Sequence, residues 1–475
     1  MALPKFLRWS NAPQPVAQEE PDEAAKPELP SGRFFFNINF VFLSTLVSNT
    51  VGFFVAILLA RALGPDGRGV MALFHAAVSL GFAFLNLGVG AAAFYFVTRR
   101  EVSGRQAMEA GLSVSLVAAG FALAGVAITA VFFEQRLEGR DLPYALVILA
   151  IPALIQLRVL DGLLRAEGRF GVMNLLDLAL PLSMLLCLGG VELTAGLTVP
   201  RAVWAWTLSY CVPLLLGYAL IGRSSWPRGL AGPKLLRKLA TFGGQGQLTN
   251  LIQLFNYRLD VFLILIFVNT AGVGLYTVAS SQTEGLWIIA NSVAIVLLTN
   301  ITAGDAANAA RVTPVVCRNT LLVTAVGAIG AAIIAGLWIP VVFGSSYAAS
   351  VLPYLWLLPG TVALSGSKIL AAYVFSRGRP IINAWIALAT LLVTLPTDVV
   401  LISLFGVPGA AAGTSLGYCF TLALSAIAYR RLSGSAILEA LLPRRSDVAI
   451  YVDGLRSLRR RLRRSAVVPE STPLP

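Results

Sequence analysis

The sequence predicts an all-α, polytopic membrane protein of about twelve transmembrane helices, arranged as two homologous six-helix lobes. The prediction depends on the composition, the number of long apolar runs and an internal repeat. Of 475 residues, 57% are hydrophobic and only 12% charged, and the mean hydropathy is +0.78. Because soluble domains carry about 25% charged residues, this chain is expected to reside in a lipid bilayer.

Twelve apolar runs are long enough to cross the bilayer, since about 20 helical residues span the roughly 30 Å of hydrocarbon. The runs lack the period-two alternation of a membrane β-barrel, so each is interpreted as a helix. The predicted spans are 36–59, 69–97, 107–133, 142–163, 172–190, 200–222, 243–268, 271–301, 319–343, 351–374, 381–403 and 407–429.

Basic residues in the loops predict the orientation, because cytoplasmic loops are enriched in Lys and Arg. With the amino terminus inside, the inner loops hold fourteen Lys and Arg, whereas the outer loops hold Arg61, Arg68, Arg136, Arg140 and Arg201. Both termini are therefore predicted to be cytoplasmic. The net charge of +13 comes mostly from these loops and from the basic tail. We expect these basic residues to contact anionic membrane lipids, so the charge does not require nucleic acid as a partner.

The chain divides into five predicted segments. Residues 1–33 are rich in Pro, Glu and Ala and predict a disordered cytoplasmic segment, which is not a signal peptide because no apolar stretch precedes the first span. Residues 34–222 form the first lobe (spans 1–6), residues 223–242 a cytoplasmic linker and residues 243–429 the second lobe (spans 7–12). Residues 430–475 form a basic cytoplasmic tail.

Within that tail, Ser446 could cap an amphipathic helix lying on the inner leaflet. Its apolar residues recur at helical spacing: Val448, Tyr451, Leu455, Leu458 and Leu462. The alternative interpretation is a solvated basic tail.

An internal repeat supports the two lobes. Three pairs of segments align at offsets of 208, 210 and 205: VPRAVWAWTLSYC (199–211) with VPGAAAGTSLGYC (407–419), AEGRF (166–170) with SRGRP (376–380), and GRG (67–69) with GVG (272–274). Because each copy holds an even number of spans, both enter the membrane in the same direction, and an axis along the membrane normal should relate them.

Two stretches resemble a known family. LLARALGPDGRGVMALFHAAVSLGFAFLNLGVGAA (58–92) and SRGRPIINAWIALATLLVTLPTDVVLISLFGVPGAAAGTSLGY (376–418) are similar to Wzx-type polysaccharide biosynthesis proteins. These are lipid-linked oligosaccharide flippases of the multidrug/oligosaccharidyl-lipid/polysaccharide (MOP) exporter superfamily. The resemblance covers about residues 34–430 and implies a MOP/MATE-like fold in the bacterial cytoplasmic (inner) membrane. Peptidoglycan-precursor flippases of this superfamily typically have fourteen spans. Twelve spans therefore favour an O-antigen, capsule or exopolysaccharide unit.

Enzymatic functions find little support in the sequence. There is no Walker A motif, since GTVALSGSK (360–368) has the wrong spacing and lies within a span. The single histidine, His75, cannot form a multi-histidine metal site, and we interpret it as packed or facing a polar lumen. The cysteines indicate no disulfide or CxxC chemistry. We therefore expect neither an enzyme nor a cofactor.

Three basic residues lie within predicted spans, where an unpaired charge is costly. Arg158 is near the cytoplasmic end of span 4 and could extend to the interface or pair with Asp161. Lys368 in span 10 could reach the interface only in part. Arg258 lies near the middle of span 7, too deep to reach either surface, and so requires a partner. That partner is either the substrate or Glu284 in span 8.

Span 7 is polar on two sides. Asp260, Asn256, Gln253 and Thr249 share one face, whereas Arg258 points nearly opposite, because residues two apart are about 200° apart on a helix. Sequence alone does not say which face lines a cavity. In span 1, Asn49 lies close to the equivalent phase.

The resemblance implies alternating access through a central cationic cavity that receives the acidic head of a polyprenyl-diphosphate-linked oligosaccharide. Six residues are the predicted substrate-binding set: Arg258, Lys368, Arg158, Asn256, Gln253 and Asn49. Asp260, Glu284 and Asp398 are candidates for coupling to H⁺ or Na⁺, or else form structural pairs. A polysaccharide polymerase is a candidate partner. A multidrug or organic-cation antiporter and a non-transporting membrane assembly protein are the alternative functions.

Overall fold

The computed structural model describes residues 32–133, 145–303, 306–442 and 444, and these ranges are largely helical with no strand among them. The amino-terminal segment before Gly32 and the predicted tail helix after Ser446 lie outside the described residues. The helices are α1 (Gly32–Leu85), α2 (Val89–Thr98), α3 (Gly104–Phe133), α4 (Ala145–Ala166), α5 (Phe170–Ala195), α6 (Val199–Ser209), α7 (Cys211–Ile221), α8 (Pro233–Phe267), α9 (Thr270–Ala303), α10 (Ala306–Phe343), α11 (Val351–Ser376), α12 (Pro380–Phe405), α13 (Val407–Ser433) and α14 (Ile437–Leu441).

Ten helical stretches in the described ranges are long and apolar enough to cross a membrane. The first, Leu46–Leu85, has 40 residues and would measure about 60 Å if straight, twice the hydrocarbon thickness. It bends at Gly64, whose φ of 63° and ψ of −177° interrupt the helix before Pro65, so it makes two crossings. Helix α4, with 22 residues, adds one more. The described chain thus has the twelve crossings predicted from its sequence.

Two helices begin earlier than predicted. Helix α8 begins at Pro233, ten residues before predicted span 7, and α10 begins at Ala306. Pro233 occupies the first helical position, where its fixed φ favours a helix start, and Leu239 is fully buried. From Pro233 onward, the predicted linker over 223–242 is helical. That segment is the amphipathic start of α8.

Buried residues divide into two main groups that correspond to the lobes. One core joins α1 to α7 and includes Met71, Met108 and Ile155. A second core joins α8 to α13, with Tyr276 and Tyr354 among its largest members, although it also takes in a few residues of α1. We call α1 to α7 the first lobe and α8 to α14 the second lobe.

The segment between the lobes lies against α3 at the end of the bundle where the Arg-rich loops gather, which we call the basic end. Ser113 Oγ accepts a hydrogen bond from the Ala231 amide at 2.9 Å. Arg105 Nε donates to the Ser224 carbonyl at 3.1 Å, and Lys238 Nζ pairs with Glu101 at 2.8 Å. These contacts connect the start of α8 to the first lobe.

At the other end, which we call the opposite end, the lobes meet at a close backbone contact. A Cβ on Gly69 would overlap the Thr270 carbonyl, and a Cβ on Gly274 would overlap the Pro65 carbonyl. Pro65 corresponds to Thr270 and Gly69 to Gly274 at the repeat offset of 205. Exchanging the two copies of the repeat therefore turns one of these contacts into the other. This geometry confirms the alignment of GRG with GVG and indicates that the pseudo-twofold axis passes between the two glycines.

A second close contact lies nearer the basic end. Gly88, between α1 and α2, abuts Gly243 of α8. Phe242 stacks on Tyr95 with ring centroids 4.3 Å apart. A cleft between the lobes lies between this contact and the one at Gly69.

Candidate functional site

A cavity of about 690 Å³ occupies the cleft between the lobes. This volume is in the range of ligand-binding cavities. Helices α1, α2, α4 and α6 line it from the first lobe and α8 lines it from the second. Its polar and aromatic lining residues are His75, Ser79, Phe82, Asn86, Phe94, Arg158, Asp161, Arg165, Trp206, Tyr210, Gln247 and Asn250.

The cavity continues toward the opposite end into a pocket of about 130 Å³, which shares His75 and Ser79 with it. Arg68 of α1 and Arg258 of α8 line this pocket from the two lobes, together with Glu284 of α9. Because Arg68 is adjacent to Gly69, the pocket lies directly beneath the contact that closes this end. We call it the arginine pocket.

Arg258 and Glu284 form an ion pair at 3.7 Å between Nη1 and Oε1, and both side chains are 34% exposed. The pair predicted as the structural alternative is therefore present. Its distance exceeds the 2.7–2.9 Å of a charge-assisted hydrogen bond, so Arg258 retains donors for another ligand.

Sequence reasoning missed Arg68, which was assigned to an outer loop. Its residue exposure is only 8%, and its Nε has no hydrogen-bond partner among the described residues. Arg68 and Arg258 are near enough to repel each other, so the arginine pocket carries two positive charges against one carboxylate. One helix face carries residues spaced by four, three and four positions: Arg68, Ala72, His75 and Ser79. This spacing is the sequence signal that places Arg68 on the same face of α1 as His75.

The first lobe contributes an aromatic wall to the cavity. His75 lies against Trp206 with ring centroids 4.3 Å apart, and Trp206 contacts Tyr210 at 5.0 Å. Three buried polar atoms in this wall have no described partner: His75 Nε2, Trp206 Nε1 and Asn86 Oδ1. The described residues contain no group of three or more metal-ligating side chains, and the packed, lumen-facing position of His75 agrees with its sequence interpretation.

Arg158 lines the cavity nearer the basic end than the arginine pocket. Asp161 pairs with Arg165 at 2.9 Å instead of with Arg158, so the predicted Arg158–Asp161 pair is wrong. Residues 161 and 165 are one helical turn apart, a favourable spacing for an ion pair. Arg158 makes no ion pair with any described residue. Asn49, predicted to bind substrate, is exposed on α1 and lines none of the cavities described.

The two polar faces of α8 line two different cavities. Gln247, Asn250 and Arg258 face the cleft, whereas Gln253 and Asn256 face a separate cavity of about 130 Å³ inside the second lobe. Lys368 also lines this second-lobe cavity. It shares no lining residue with the arginine pocket, so Lys368 and Arg258 line different cavities and not the single cavity predicted, although Glu284 of the arginine pocket interacts electrostatically with Lys368.

Lys368 is held by neighbours on α9. Its Nζ donates to Asn291 Oδ1 at 2.8 Å and lies 4.8 Å from the centre of the Trp287 ring. Trp287 also packs against Tyr257 and Tyr418, the two tyrosines that line the second-lobe cavity.

The predicted ion-coupling residues separate into two places. Glu284 lies in the arginine pocket, whereas Asp260 and Asp398 are both buried inside the second lobe, with residue exposures of 6% and 4%. The Tyr276 hydroxyl donates to Asp260 Oδ2 and lies 3.0 Å from Thr414 Oγ1. Asp398 Oδ1 has no partner among the described residues. Asp398 packs against Gly413, the neighbour of Thr414, so both acids lie along the same stretch of α13 and interact electrostatically; we call them the acid pair.

Comparison with known proteins adds independent evidence. The family model described as "Polysaccharide biosynthesis protein" matches residues 58–352, more than half of the chain. The chain belongs to the polysaccharide biosynthesis protein family. It is also 23% identical over 403 residues to the probable low-salt glycan biosynthesis flippase Agl15 of Haloferax volcanii, and the match covers 81% of each chain.

The fold of this family member resembles those of solved MOP transporters. The lipid II flippase MurJ in an inward closed conformation matches with a TM-score of 0.65 and 15% identity, over 83% of this chain and 90% of that chain. An inward-facing MATE multidrug transporter of the MOP superfamily matches with a TM-score of 0.60 and 17% identity, over 82% and 95%. The chain is accordingly a multi-pass membrane protein of the polysaccharide biosynthesis family with a MOP-superfamily fold.

Proposed function

We propose that this protein is a flippase that translocates an undecaprenyl-diphosphate-linked oligosaccharide across the bacterial cytoplasmic membrane. The observation that carries the proposal is the arginine pocket, where Arg68 and Arg258 come from opposite lobes and meet at the closed end of a large cavity. The family match, and the names of the glycan flippase and lipid II flippase that this chain resembles, agree with a glycan-lipid substrate.

The substrate's pyrophosphate explains the need for arginines. An unpaired anion in hydrocarbon carries a large desolvation cost, so its path must be polar and basic. Arg presents a planar fork that binds phosphate oxygens in pairs. Arg68, with its unpartnered Nε, and Arg258, with a long ion pair to Glu284, retain donors for this role.

The remainder of the cavity suits a glycan. Aromatic rings such as Trp206 and Tyr210 offer apolar faces to a sugar, and the amides of Asn86, Gln247 and Asn250 can exchange hydrogen bonds with hydroxyls. Arg158, nearer the basic end, would attract an acidic head entering from that side. The sugars favoured are those of an O-antigen, capsule or exopolysaccharide unit, while the polyprenyl tail remains in lipid.

Alternating access follows from the two contacts between the lobes. With the Gly69–Gly274 contact closed, the cavity extends toward the basic end, where α8 and α2 must separate for the head to enter. We assign the basic end to the cytoplasm, together with both termini, because Lys and Arg favour that side and contact its anionic lipids. A polysaccharide polymerase would act on the exported product and is a candidate partner.

The acid pair offers a means of coupling to an ion gradient. Two buried carboxylates within interaction distance cannot both be charged cheaply, so the second lobe is stabilised when H⁺ or Na⁺ compensates one of them. Binding of such an ion on one side of the membrane and its release on the other would bias the rocking of the lobes. Asp260 and Asp398 are the proposed coupling residues, with Glu284 assigned instead to the arginine pocket.

A multidrug or organic-cation antiporter of the same superfamily is the alternative function. A cationic drug would favour a net acidic cavity, whereas the arginine pocket has an excess of one positive charge over its carboxylate. The non-transporting assembly role has no specific observation in its favour.

The decisive experiment measures translocation of a fluorescent undecaprenyl-diphosphate oligosaccharide by the full-length protein in proteoliposomes. We expect Arg68→Gln to lower the rate by about tenfold or more, the effect of losing one charge-assisted contact. Arg311→Gln, which changes an exposed arginine on α10, is the matched control and should leave the rate unchanged. Transport of an organic cation without transport of the glycan lipid would favour the antiporter.

A further inference from the structure

The second-lobe cavity contains an arrangement of oxygen atoms that the proposed substrate site does not use. Two buried side-chain oxygens that line it, Asn256 Oδ1 and Asn383 Oδ1, have no hydrogen-bond partner among the described residues. The same is true of Thr394 Oγ1 and Asp398 Oδ1, which lie farther along α12, outside the cavity lining and against Gly417 and Gly413 of α13. Buried polar atoms are nearly always satisfied by protein, water or an ion. Two amide oxygens, a carboxylate oxygen and a hydroxyl are the ligand chemistry of a small hard cation and its waters, although the nearby Trp287 Nε1, a donor, is unpartnered as well.

The side-chain amides of Asn256 and Asn383 are held through their nitrogen atoms, and their oxygen atoms accept no hydrogen bond from a described residue. Asn256 Nδ2 donates to the carbonyls of Ile252 and Ala387, at 3.1 and 3.0 Å. Asn383 Nδ2 donates to the carbonyl of Ala371 at 3.0 Å. The donors are thus occupied by helix backbone, and the acceptors are left for whatever enters the cavity.

These oxygens follow one face of α12. Asn383, Thr390, Thr394 and Asp398 recur at seven, four and four residues, which places them on one side of the helix. Thr390 Oγ1 lies 2.9 Å from Thr421 Oγ1 on α13. We call this face, together with Asn256, the oxygen column. It runs from near the start of α12 at the basic end to the acid pair.

The depth of the acid pair makes such a column necessary. Asp398 lies seven residues before the last residue of α12, and Asp260 lies seven before the last residue of α8, or about 11 Å from the opposite end at 1.5 Å per residue. From the basic end, Asp398 is eighteen residues into α12, or about 27 Å. An ion can reach the acids by a short path from the opposite end, but leaving toward the basic end requires a long polar path.

Lys368 places a positive charge on the wall of this cavity. Its ammonium is retained by Asn291 and by the face of Trp287. A fixed cation beside a narrow polar path raises the energy of any second cation that passes, as charged residues do in selective pores. Lys368 is therefore suited to limit ion flow along the column.

We propose that the oxygen column is the route by which a small monovalent cation leaves the acid pair toward the basic end, and that Lys368 is the electrostatic barrier that prevents this route from leaking. The inference rests on the proposed ion coupling. It assigns Lys368 to ion flow in the second lobe and leaves the substrate to the arginines of the cleft. Asn383, Thr390 and Thr394 are positioning residues that lower the energy of the ion between the acids and the basic end.

The test uses the full-length protein in proteoliposomes without glycan lipid, measuring exchange of radioactive Na⁺ and, with an internal pH dye, of protons. Thr390→Val removes one hydroxyl from the column at nearly constant volume and should slow exchange by about tenfold, the effect of one lost polar contact. Thr390→Ser should restore it. Lys368→Met should increase the passive flux of the same ion several-fold. Thr397→Val, whose hydroxyl bonds the Val393 carbonyl of the same helix outside the column, is the control and should match the unmodified protein.

A second readout separates the route from the binding site. Cation binding at the acid pair should raise the Tm of the detergent-solubilised protein as Na⁺ or H⁺ is added. Thr390→Val should retain that response, because the acids are intact. Unchanged exchange in Thr390→Val, unchanged flux in Lys368→Met or loss of the Tm response in Thr390→Val would each overturn the route. An unmodified protein without any cation response would instead refute the ion coupling itself, and the route with it, while leaving glycan-lipid translocation to be judged by its own assay.

Discussion

At the scale of single residues, Arg258 shows how depth in a span predicts a partner. It is too deep to reach either membrane surface, and the structure supplies both Glu284 at 3.7 Å and a pocket at the end of the cleft. The one-third exposure of both side chains means that the pair is partly solvated, so removing one partner should cost less stability than breaking a fully buried pair.

The first prediction separates a structural from a substrate role for Arg258. Arg258→Gln should lower the free energy of unfolding by only about 1–2 kcal/mol, since the pair is partly solvated, yet it should abolish glycan-lipid export. Arg258→Lys should retain part of the export, because the charge remains without the planar fork. Stability is measured by denaturation in detergent and export by surface polysaccharide.

The Glu284→Gln variant completes a double-mutant cycle. The double neutralisation Arg258→Gln with Glu284→Gln should recover stability without recovering export. Recovery of export by the double variant would mean that Arg258 only balances Glu284 and does not contact substrate.

At the scale of helices, glycines decide how closely the elements approach. Gly413 and Gly417 on α13 leave the space that Asp398 Oδ1 and Thr394 Oγ1 occupy on α12, because a Cβ at either glycine would overlap those oxygens. Gly69 and Gly274, which lack a Cβ, likewise allow the backbones of the two lobes to come into direct contact. Sequence shows these residues as part of a repeat, but only packing shows that they mark a contact between the lobes.

The second prediction concerns that contact. Gly69→Ala places a Cβ on the Thr270 carbonyl, so the lobes must separate at the opposite end. Overpacking of this kind costs about 1–3 kcal/mol, enough to shift a two-state equilibrium about 5- to 150-fold. In a cysteine-free background, Ser280→Cys in the arginine pocket should then react faster with an impermeant thiol reagent added at the opposite end.

Gly52→Ala is the matched control for this experiment. Gly52 lies on the same helix α1, and an added Cβ would have nothing within 4 Å. Its labelling rate should equal that of the parent protein. An unchanged rate in Gly69→Ala would argue that the α1–α9 contact does not limit access to the pocket.

At the scale of the whole molecule, the distribution of charge predicts how the bundle lies in the membrane. The inner loops at the basic end hold fourteen Lys and Arg, including Arg99, Arg169 and Arg377, whereas the loops predicted at the opposite end hold only Arg61, Arg136, Arg140 and Arg201, once Arg68 is placed in the arginine pocket. Orientation is therefore a property of the chain as a whole and not of any one span.

The third prediction tests this topology. Reporters fused after Arg105, Lys238 or Arg379 should report the cytoplasm, and reporters near Thr198 or Ser346 should report the outside. The measurement is paired alkaline phosphatase and fluorescent protein activity. An external signal after Lys238 would contradict both the parallel repeat and the assignment of the basic end to the cytoplasm.

The sequence by itself determined the membrane environment, the twelve crossings, the repeat and the family, because these depend on composition, run length and local motifs. It also determined that Arg258 and Asp260 lie on opposite faces of one helix, since helical periodicity is local. Neither the early start of α8 nor that of α10 was evident, because amphipathic helix ends are less apolar than the spans they precede.

Tertiary structure alone decided which face of α8 lines the cleft, because periodicity defines a face but not the rotation of a helix against its neighbours. It separated Lys368 from Arg258, buried Arg68 in the arginine pocket and brought Asp260 near Asp398. The contact between Tyr276 and Thr414, 138 residues apart, illustrates the reason: the chemistry of both sites is assembled from distant helices, and only their packing brings those side chains together.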